Sequence, residues 1–474
     1  MQKKETAWIS LGPFYWLIFG LLIYAYYFFQ LSLTPGWAYI GDSANALFPY
    51  NFQYSGFARG EYPLWNPLNR SGEPLYFMQA ITLANPLANL TIIISLLFGI
   101  KNIVLSFSVY FFLLITLYVL GVYLLVLVLT KNSFAATFGA LITLASPPVL
   151  WILTSDIYIK IIYVVPWILY SLIQYHRTIK FRYLIIFALS FCLAIYSYQL
   201  TYVFSFLIFV LFSGLIFYWD EFSIQKFKKI PLWHIVTTTI LLFVIIAPII
   251  QVALISDDFL PPSTRINKST LTVTNALDVK CDLFFERLPE FFFVRENLIA
   301  VIFTGAFWAK TASAWKVLRY FLGPLVLPFL GVALFSRSRI VLCIGLSILL
   351  LSSQAGEYLP GNLLYKLPFF DYMKYAYLLN IFLVFSVIIL SSLGFDHFFK
   401  NRNPFWERIL TGFSILLIIG SVVLFVVLPD RDYSNSVLAL TSLSLVGFTG
   451  LILLRQKISQ QALFNIFFAL VIIS

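Results

Sequence analysis

The residues best suited to chemistry lie in a polar stretch that follows the first apolar segment, from Tyr39 to Pro86. In a chain with 11% charged residues, this stretch holds five: Asp42, Arg59, Glu61, Arg70 and Glu73. A carboxylate near a membrane-facing cavity can take a proton from an acceptor hydroxyl, which typically accelerates a reaction about 10²–10⁴-fold. Asp42 is therefore a candidate general base. The alternative is that it only occupies a helix end or a turn.

A second candidate group lies in a short turn between apolar segments, where Asp156 and Lys160 are four positions apart. On a helix, this spacing puts both side chains on one face. Two interpretations stay open. The pair is either an exposed ion pair, which would contribute about 0–1 kcal/mol, or it lines an outer cavity where Lys160 contacts a phosphate as a point charge.

Aromatic and amide groups in the outer segments are suited to contact a sugar. Trp65 and Asn66 lie in a Pro-Leu-Trp-Asn-Pro run, where a ring can stack on a sugar and an amide can hydrogen-bond it. The alternative is a loop that its tryptophan packs on the membrane. Lys374 and Tyr375 precede a later apolar run, where they are either donor-phosphate contacts or ordinary membrane anchors.

The elements that must position these residues are strongly apolar. The chain has 474 residues, of which 61% are hydrophobic, and its mean hydropathy is +0.91. Soluble domains are about 45–50% apolar, and runs of about 18 or more apolar residues recur here. The sequence therefore predicts an all-α polytopic membrane protein. The run at 11–30 is longer than the apolar core of a signal peptide, about 7–15 residues, so we expect a retained first span.

The net charge of +11 is explained by membrane topology, because cytoplasmic loops of membrane proteins collect lysine and arginine. No basic run is long enough to form a nucleic-acid-binding arm, so no nucleic acid is expected as a partner. The three cysteines are isolated, and no pair has metal-ligand or redox spacing. A weakly held Mg²⁺ or Mn²⁺ on a few carboxylates stays open.

The positions of the basic residues predict the topology. Lys3 and Lys4 place the N-terminus in the cytoplasm, so the Asp42 segment lies outside. If 83–99 crossed the membrane, the cluster from Arg177 to Arg182 and the later basic loops would fall outside, against the positive-inside rule. Treating 83–99 as an amphipathic helix on the outer surface places all of these loops inside.

Under this topology the chain is one integral membrane domain, 1–474, with a first outer loop at 31–102 that contains the interfacial helix and a long outer loop at 255–318. The run at 462–474 is too short to cross a core of about 30 Å, and we expect the sequence to continue beyond Ser474. The predicted spans are 11–30, 103–129, 134–151, 157–175, 182–197, 200–218, 232–254, 319–336, 340–354, 376–396, 406–428 and 436–454.

The first outer loop resembles that of the YfhO-type bacterial membrane glycosyltransferases. The resemblance lies in Asp42, Phe48-Pro49, the run from Gly60 to Pro67, and Gly72 to Leu75. Two further patches are similar: Tyr198-Gln199 with Tyr202, without the usual Gly-His before the glutamine, and the segment from Leu367 to Asp396. In that last segment Lys374 stands where the family usually has arginine, and Ala376 replaces a proline.

The resemblance implies a GT-C architecture of about 12–13 membrane helices with a large first outer loop and an interfacial helix. Such enzymes pass a sugar from a polyprenyl-phosphate carrier to a cell-envelope acceptor on the outer face of the bacterial cytoplasmic membrane. By this similarity Asp42 would be the catalytic carboxylate and Asp156 a second acidic site, and inversion at the sugar is expected. The acceptor stays open between a lipoteichoic acid, a lipid head group, a wall polymer and a protein.

The leaving polyprenyl phosphate would need preorganised cations, for which Lys160 and Lys374 are candidates. No Gly-rich phosphate loop is present, so no nucleotide site is expected. The alternative function is a non-catalytic transporter or scaffold for lipid-linked glycans, which predicts that Asp42→Asn leaves function intact. No metal ligand is assigned, and the predicted substrate-binding residues are Asp156, Lys160, Arg59, Glu61, Trp65, Asn66, Gln199, Lys374 and Tyr375.

Overall fold

A computed structural model describes the chain in sections: 11–34, 39, 41–61, 65–66, 73–74, 85–150, 152, 156–196, 207–208, 210, 230–259, 326–335, 344–345, 380–400, parts of 405–419, 446–450, 452 and 460–473. The helices of these sections are α1 (Leu11–Leu33), α2 (Gly41–Ala58), α3 (Pro86–Leu97), α4 (Ile103–Thr130), α5 (Ser133–Leu144), α6 (Pro147–Leu150), α7 (Ile157–Ile162), α8 (Val165–Thr178), α9 (Phe181–Ile195), α10 (Leu232–Phe259), α11 (Val326–Phe335), α12 (Asn380–Lys400) and α13 (Gln460–Ile473). Two short strands, β1 (Trp65–Asn66) and β2 (Glu73–Pro74), lie between α2 and α3.

Three stretches within the described sections are long and apolar enough to cross a membrane: Pro13–Leu33, Ile103–Thr130 and Ile157–Thr178. The first two coincide with the predicted spans at 11–30 and 103–129. The 28 residues of α4 extend about 42 Å, more than the hydrocarbon core of about 30 Å.

Helix α4 is the element around which the other described helices are arranged. It contacts α1, α2, α3, α5, α7, α8 and α12. Its sequence is apolar all round, as expected for a helix that others surround. Its aromatic side chains Phe107, Tyr110, Phe111 and Tyr118 are fully buried.

Two of the predicted spans are interrupted. The span predicted at 134–151 ends as helix α5 at Leu144, because the chain turns at Ala145-Ser146 before two prolines. A proline ring cannot continue the preceding helix, since it lacks the N–H and clashes with the previous turn. The span predicted at 157–175 consists of α7 and α8, which meet at Tyr163-Val164, with Pro166 in the first turn of α8.

The predicted interfacial helix is present as α3. It begins at Asn85, whose side-chain oxygen accepts a hydrogen bond of 2.9 Å from the Leu87 amide. This is an N-cap, which typically stabilises a helix start by about 1 kcal/mol. At 12 residues, α3 extends about 18 Å and cannot cross the membrane.

The outward face of α3 is apolar, unlike that of a surface helix in a soluble protein. Three of its four buried residues are small or polar, and four of its large apolar residues are exposed. This arrangement fits a helix that lies in the membrane interface. The buried set is Ala88, Thr91, Ile92 and Ser95, and the exposed apolar set includes Leu90, Ile93, Ile94 and Leu97.

The polar segment that follows α1 contains an 18-residue helix, α2, that was not predicted from the sequence. Its composition, with a glycine at the start and Pro49 inside, is typical of a loop rather than a helix. Tertiary contacts hold it: Tyr50, Gln53 and Tyr54 face inward and are buried. The following strands pair antiparallel, with Trp65 opposite Pro74 and Asn66 opposite Glu73.

The end of α4 nearest Thr130 is covered by basic side chains from two other helices. The Arg177 guanidinium donates to the Val128 carbonyl at 2.7 Å, and the Lys400 ammonium donates to the Thr130 carbonyl at 2.8 Å. Cations are favoured at helix C-termini because of the helix dipole. Arg177 and Lys400 therefore lie at the same end of the described helices as the turn after α4.

Asp396 lies in the same end of the bundle. Its carboxylate accepts hydrogen bonds of 2.8 Å from the Asn132 amide and from the Lys400 ammonium. Asn132 also caps the start of α5. Helix α12 extends to Lys400, beyond the predicted end at 396, and this contact fixes its last turn against the turn between α4 and α5.

Helices α11 and α12 pack with their backbones in close contact. A Cβ atom built on Gly394 would lie 1.9 Å from the Phe329 carbonyl oxygen, so only glycine fits there. Aromatic rings fill the space around this contact, with the Phe138 and Phe395 rings stacked at 4.7 Å. The spans predicted at 340–354 and 200–218 fall almost entirely outside the described residues, as does the predicted outer loop beyond Phe259.

Candidate functional site

The first two turns of α4 connect the elements of the predicted site. Ser106 donates to the Ser95 hydroxyl of α3 at 2.7 Å and lies 2.8 Å from the Tyr50 hydroxyl of α2. Ser108 lies 2.7 Å from the Tyr39 hydroxyl, just before α2. The start of α4 therefore anchors both the helix that carries Asp42 and the interfacial helix.

Tyr39 and Tyr50 act as neutral hydrogen-bonding groups in this anchor. Burial raises the pKa of both phenols well above the ordinary tyrosine value, although their hydrogen bonds with Ser108 and Ser106 oppose the shift. Desolvation penalises the phenolate form, so both side chains keep their proton over the physiological pH range.

Asp42 is the second residue of α2, and the structure describes its backbone only. The next residue fixes its position: the Ser43 hydroxyl is buried and donates a hydrogen bond of 2.7 Å to the Ile152 carbonyl. Ile152 lies in the short segment that leads into Asp156. The first turn of α2 therefore lies against the segment that carries the second acidic candidate.

Asp156 and Lys160 form a buried ion pair on α7. The Lys160 backbone amide donates to the Asp156 carbonyl at 3.2 Å, so the predicted helical spacing is present, and the two charged groups are in direct contact. The side chains are only 3% and 8% exposed. The interpretation of an exposed ion pair is therefore wrong, because neither group reaches solvent freely.

Burial of this pair costs free energy. Moving each charge out of water requires roughly several kcal/mol before the attraction between the two charges is counted. Ionisable residues within membrane-spanning segments are rare and indicate function. Asp156 and Lys160 lie at the start of the stretch Ile157–Thr178, which is long enough to span. The pair is the strongest site feature among the residues that the structure describes.

Two buried polar residues that the sequence did not single out connect the start of α3 to α4. The Asn85 amide donates a hydrogen bond of 3.4 Å to the Tyr110 hydroxyl. The Asn85-Pro86 step before an apolar run signals a helix start, but nothing in the sequence indicates its contact with α4.

The other predicted site residues are not brought to this pair by the described structure. Arg59 and Glu61 follow α2 and form an ion pair of 3.3 Å, with side chains 61% and 67% exposed. For Trp65 and Asn66 the structure describes the strand backbone, not the side chains. Gln199, Lys374 and Tyr375 lie outside the described residues, so their roles stay predictions.

The described residues do not form a cluster suited to a metal ion: no group of three or more His, Cys, Asp and Glu occurs among them. At Asp156 the position that a cation would take beside the carboxylate is filled by the Lys160 ammonium. This site therefore does not fit a divalent cation in the arrangement observed.

The helices packed on α4, with a short interfacial helix and a large polar segment after the first span, form the all-α polytopic membrane fold of the GT-C type. The fold class predicted from the sequence is confirmed, and the chain is a multi-pass membrane protein.

One solved structure that shows this likeness is the crystal structure of ArnT from Cupriavidus metallidurans bound to undecaprenyl phosphate. The TM-score is 0.51 at 14% sequence identity, and the match covers 98% of this chain and 76% of the ArnT chain. No family model and no curated protein matches the sequence. At this level of identity, the likeness shows the fold alone.

Proposed function

We propose that this chain is a GT-C-type glycosyltransferase that moves a sugar from a polyprenyl-phosphate carrier to a cell-envelope acceptor. The observation that carries the proposal is the contact between Ser43 and Ile152, which seats the first turn of the Asp42 helix against the segment leading to the buried Asp156–Lys160 pair. This contact holds the helix that carries the candidate base, Asp42, against the segment that leads to the candidate phosphate-binding cation, Lys160.

In this mechanism Asp42 is the general base. As the acceptor oxygen attacks the anomeric carbon, its proton passes to the Asp42 carboxylate and the new glycosidic bond forms. The bond from the anomeric carbon to the phosphate oxygen breaks, and its electron pair leaves on the polyprenyl phosphate. Attack opposite the leaving group inverts the anomeric centre, and base catalysis typically contributes about 10²–10⁴-fold.

The leaving phosphate gains negative charge in the transition state and needs a fixed cation nearby. Lys160 is that cation among the described residues, and Lys374 is a further candidate. Preorganised charges in a site without bulk water are usually the largest single contribution to such a reaction. Asp156 keeps Lys160 in place before the carrier binds, because the two groups are paired.

The outer segment that carries Asp42 would hold the sugar. Strands β1 and β2 bring the Trp65-Asn66 step next to Glu73-Pro74, so the two halves of the family-like sequence lie side by side. In the proposal Trp65 stacks on the sugar and Asn66 hydrogen-bonds it. Arg59, Glu61, Gln199 and Tyr375 complete the predicted contacts.

The proposal places the site on the outer face of the bacterial cytoplasmic membrane, with the N-terminus in the cytoplasm. The segregation of basic side chains supports this orientation: Arg177 and Lys400 lie at the far end of α4 from Ser106 and Ser108. The fold is shared with a protein whose crystal structure holds undecaprenyl phosphate, which supports a carrier of this class.

The test is a transfer assay in membranes from cells that lack the native gene, with wild type, Asp42→Asn and Asn51→Ala at matched expression. Asn51 lies exposed on the same helix and serves as the control. Radiolabelled polyprenyl-phosphate sugar is followed into the acceptor fraction, and undecaprenyl-phosphate binding is measured in parallel.

We expect Asp42→Asn to lower transfer at least about 10²-fold while carrier binding is retained, and Asn51→Ala to behave as wild type. Undiminished transfer by Asp42→Asn would remove Asp42 from the mechanism. A wild type that binds the carrier but never transfers the sugar would favour the alternative of a transporter or scaffold for lipid-linked glycans.

A further inference from the structure

The chain between α5 and α7 is an interrupted helix that leads into the Asp156–Lys160 pair. Helix α5 ends at Leu144, the four residues of α6 follow, and α7 begins at Ile157. The carbonyls in the last turn of a helix have no partner within that helix. The carbonyls of α6 therefore need donors from other parts of the chain.

Two hydroxyl groups from neighbouring helices donate to this segment. The Tyr24 hydroxyl of α1 donates a hydrogen bond of 3.2 Å to the Val149 carbonyl in α6. The Ser43 hydroxyl of α2 donates to the Ile152 carbonyl at 2.7 Å. Val149 and Ile152 are fully buried, so removing either hydroxyl takes a donor from a buried carbonyl, which costs more than losing an exposed hydrogen bond.

The Tyr24 contact lies at membrane depth. Tyr24 is near the middle of the stretch Pro13–Leu33, which is long enough to cross a membrane. Its ring stacks on the buried ring of Phe28, one turn further along α1, at 5.7 Å between centroids, and this stacking directs the hydroxyl. At such depth an interruption of a helix is tolerated only where it is buried in protein or lines a water-filled cavity.

Helix α1 lies alongside α5 up to the point where the Tyr24 hydroxyl reaches α6. The Thr137 hydroxyl donates to the Pro13 carbonyl at 3.1 Å near the start of both helices. Further along, a Cβ atom built on Gly20 would lie 2.7 Å from the Leu141 side chain, so the two helices are in close contact there. The first span is therefore a fixed support from which Tyr24 can hold α6.

We propose that Tyr24 is a positioning residue that fixes α6 to the first span and thereby sets where the Lys160 ammonium meets the phosphate of the carrier. This inference rests on the proposed function, because it assigns Lys160 to the phosphate. Tyr24 acts through the Val149 carbonyl, since α6 packs against α7, which carries Lys160. An ammonium has three donors, so Lys160 can contact a phosphate while it stays paired with Asp156.

The test separates an effect on the phosphate from an effect on packing. Wild type and Tyr24→Phe are purified, placed in lipid nanodiscs and titrated with undecaprenyl phosphate and with undecaprenol, with intrinsic tryptophan fluorescence as the signal. The same substitution is made in an Asp156→Asn/Lys160→Met background, which lacks the charged pair. Tyr26→Phe is the matched control, because Tyr26 lies on the same helix and is 66% exposed.

We expect Tyr24→Phe to weaken undecaprenyl-phosphate binding about threefold to tenfold, the effect of one lost hydrogen bond, and to leave undecaprenol binding unchanged. The alcohol has no phosphate for Lys160 to contact, so the ratio of the two affinities reports the position of the ammonium. In the Asp156→Asn/Lys160→Met background, Tyr24→Phe should leave this ratio unchanged. Tyr26→Phe should bind both lipids as wild type.

Phe28→Leu keeps the test decisive if Tyr24→Phe is poorly folded. It removes the ring on which Tyr24 stacks but keeps the hydroxyl, so the affinity ratio should fall in the same direction. An unchanged ratio in Tyr24→Phe, an equal loss for both lipids, or an equal fall of the ratio without the charged pair would overturn the inference alone. A wild type that binds both lipids equally, or neither, would contradict the proposed function and the inference with it.

Discussion

The Ser43 hydroxyl donates a hydrogen bond of 2.7 Å to the Ile152 carbonyl across 109 residues of sequence. Ser43 follows Asp42 directly, and Ile152 lies just before Asp156. One buried contact therefore fixes the helix start that carries the proposed base against the segment that leads into the ion pair.

Ser43→Ala removes this contact and leaves the Ile152 carbonyl without its donor. We expect a stability loss of about 0.5–1.5 kcal/mol, and a fall in sugar transfer of about tenfold or more, because small misplacements of a catalytic group are costly. Unfolding temperature and transfer rate are measured on the same preparations. Ser55→Ala, which removes only an exposed hydrogen bond on the same helix, is the control. Wild-type transfer by Ser43→Ala would show that the contact does not position Asp42.

Lys160→Met leaves the Asp156 carboxylate buried without its partner. We expect a loss of about 3–5 kcal/mol in the free energy of unfolding, whereas the double variant Asp156→Asn/Lys160→Met should recover most of it. Arg59→Met breaks the exposed Arg59–Glu61 pair and should cost about 0–1 kcal/mol. Unfolding in detergent mixed with SDS gives all three values. A small effect of Lys160→Met would mean that water reaches the pair.

The sequence was sufficient to predict the elements whose burial follows from hydropathy. Helices α1 and α4 are long apolar runs. The positions of the basic residues predicted that α3, unlike them, lies on the membrane surface. Helix α2 was not predicted, because its start at Gly41 and its internal Pro49 are typical of loops. Its stability comes from Tyr50 and Ser43 binding to segments far along the chain, and local sequence does not encode such contacts.

Only part of the site was predicted from the sequence, for the same reason. The spacing of Asp156 and Lys160 indicated a shared helix face, but their burial depends on how α7 packs against α4. Tyr110 is one of many tyrosines in apolar runs, and the sequence does not indicate which group its hydroxyl contacts. Only the folded chain brings it to Asn85.

Gly394→Ala places a methyl group 1.9 Å from the Phe329 carbonyl oxygen, so α11 and α12 must separate. We expect misfolding or an unfolding free energy lowered by several kcal/mol, about what severe overpacking costs. Gly331→Ala is the control on the facing helix, because nothing lies within 4 Å of its built Cβ. That variant should be neutral or slightly stabilising. Retained stability in Gly394→Ala would contradict the close packing of these helices.

Asp396 belongs to a family-like patch, yet it lies at the opposite end of α4 from Tyr110, about 30 Å away at 1.5 Å per residue. Asp396→Ala removes the acceptor for Asn132 and Lys400. We expect a stability loss of about 1–3 kcal/mol, with undecaprenyl-phosphate affinity unchanged. Thermal unfolding and the nanodisc titration check both parts. A selective loss of affinity in a stable variant would mean that the carrier site extends to this end of the bundle.

The most direct measurement compares two lipids that differ only in the phosphate. Purified wild type in nanodiscs is titrated with undecaprenyl phosphate and with undecaprenol, and tryptophan fluorescence reports binding. The proposed function predicts saturable binding of the phosphate lipid and binding of the alcohol weaker by about tenfold or more, since the phosphate meets the Lys160 ammonium in the site. Equal binding of both lipids, or binding of neither, would contradict it.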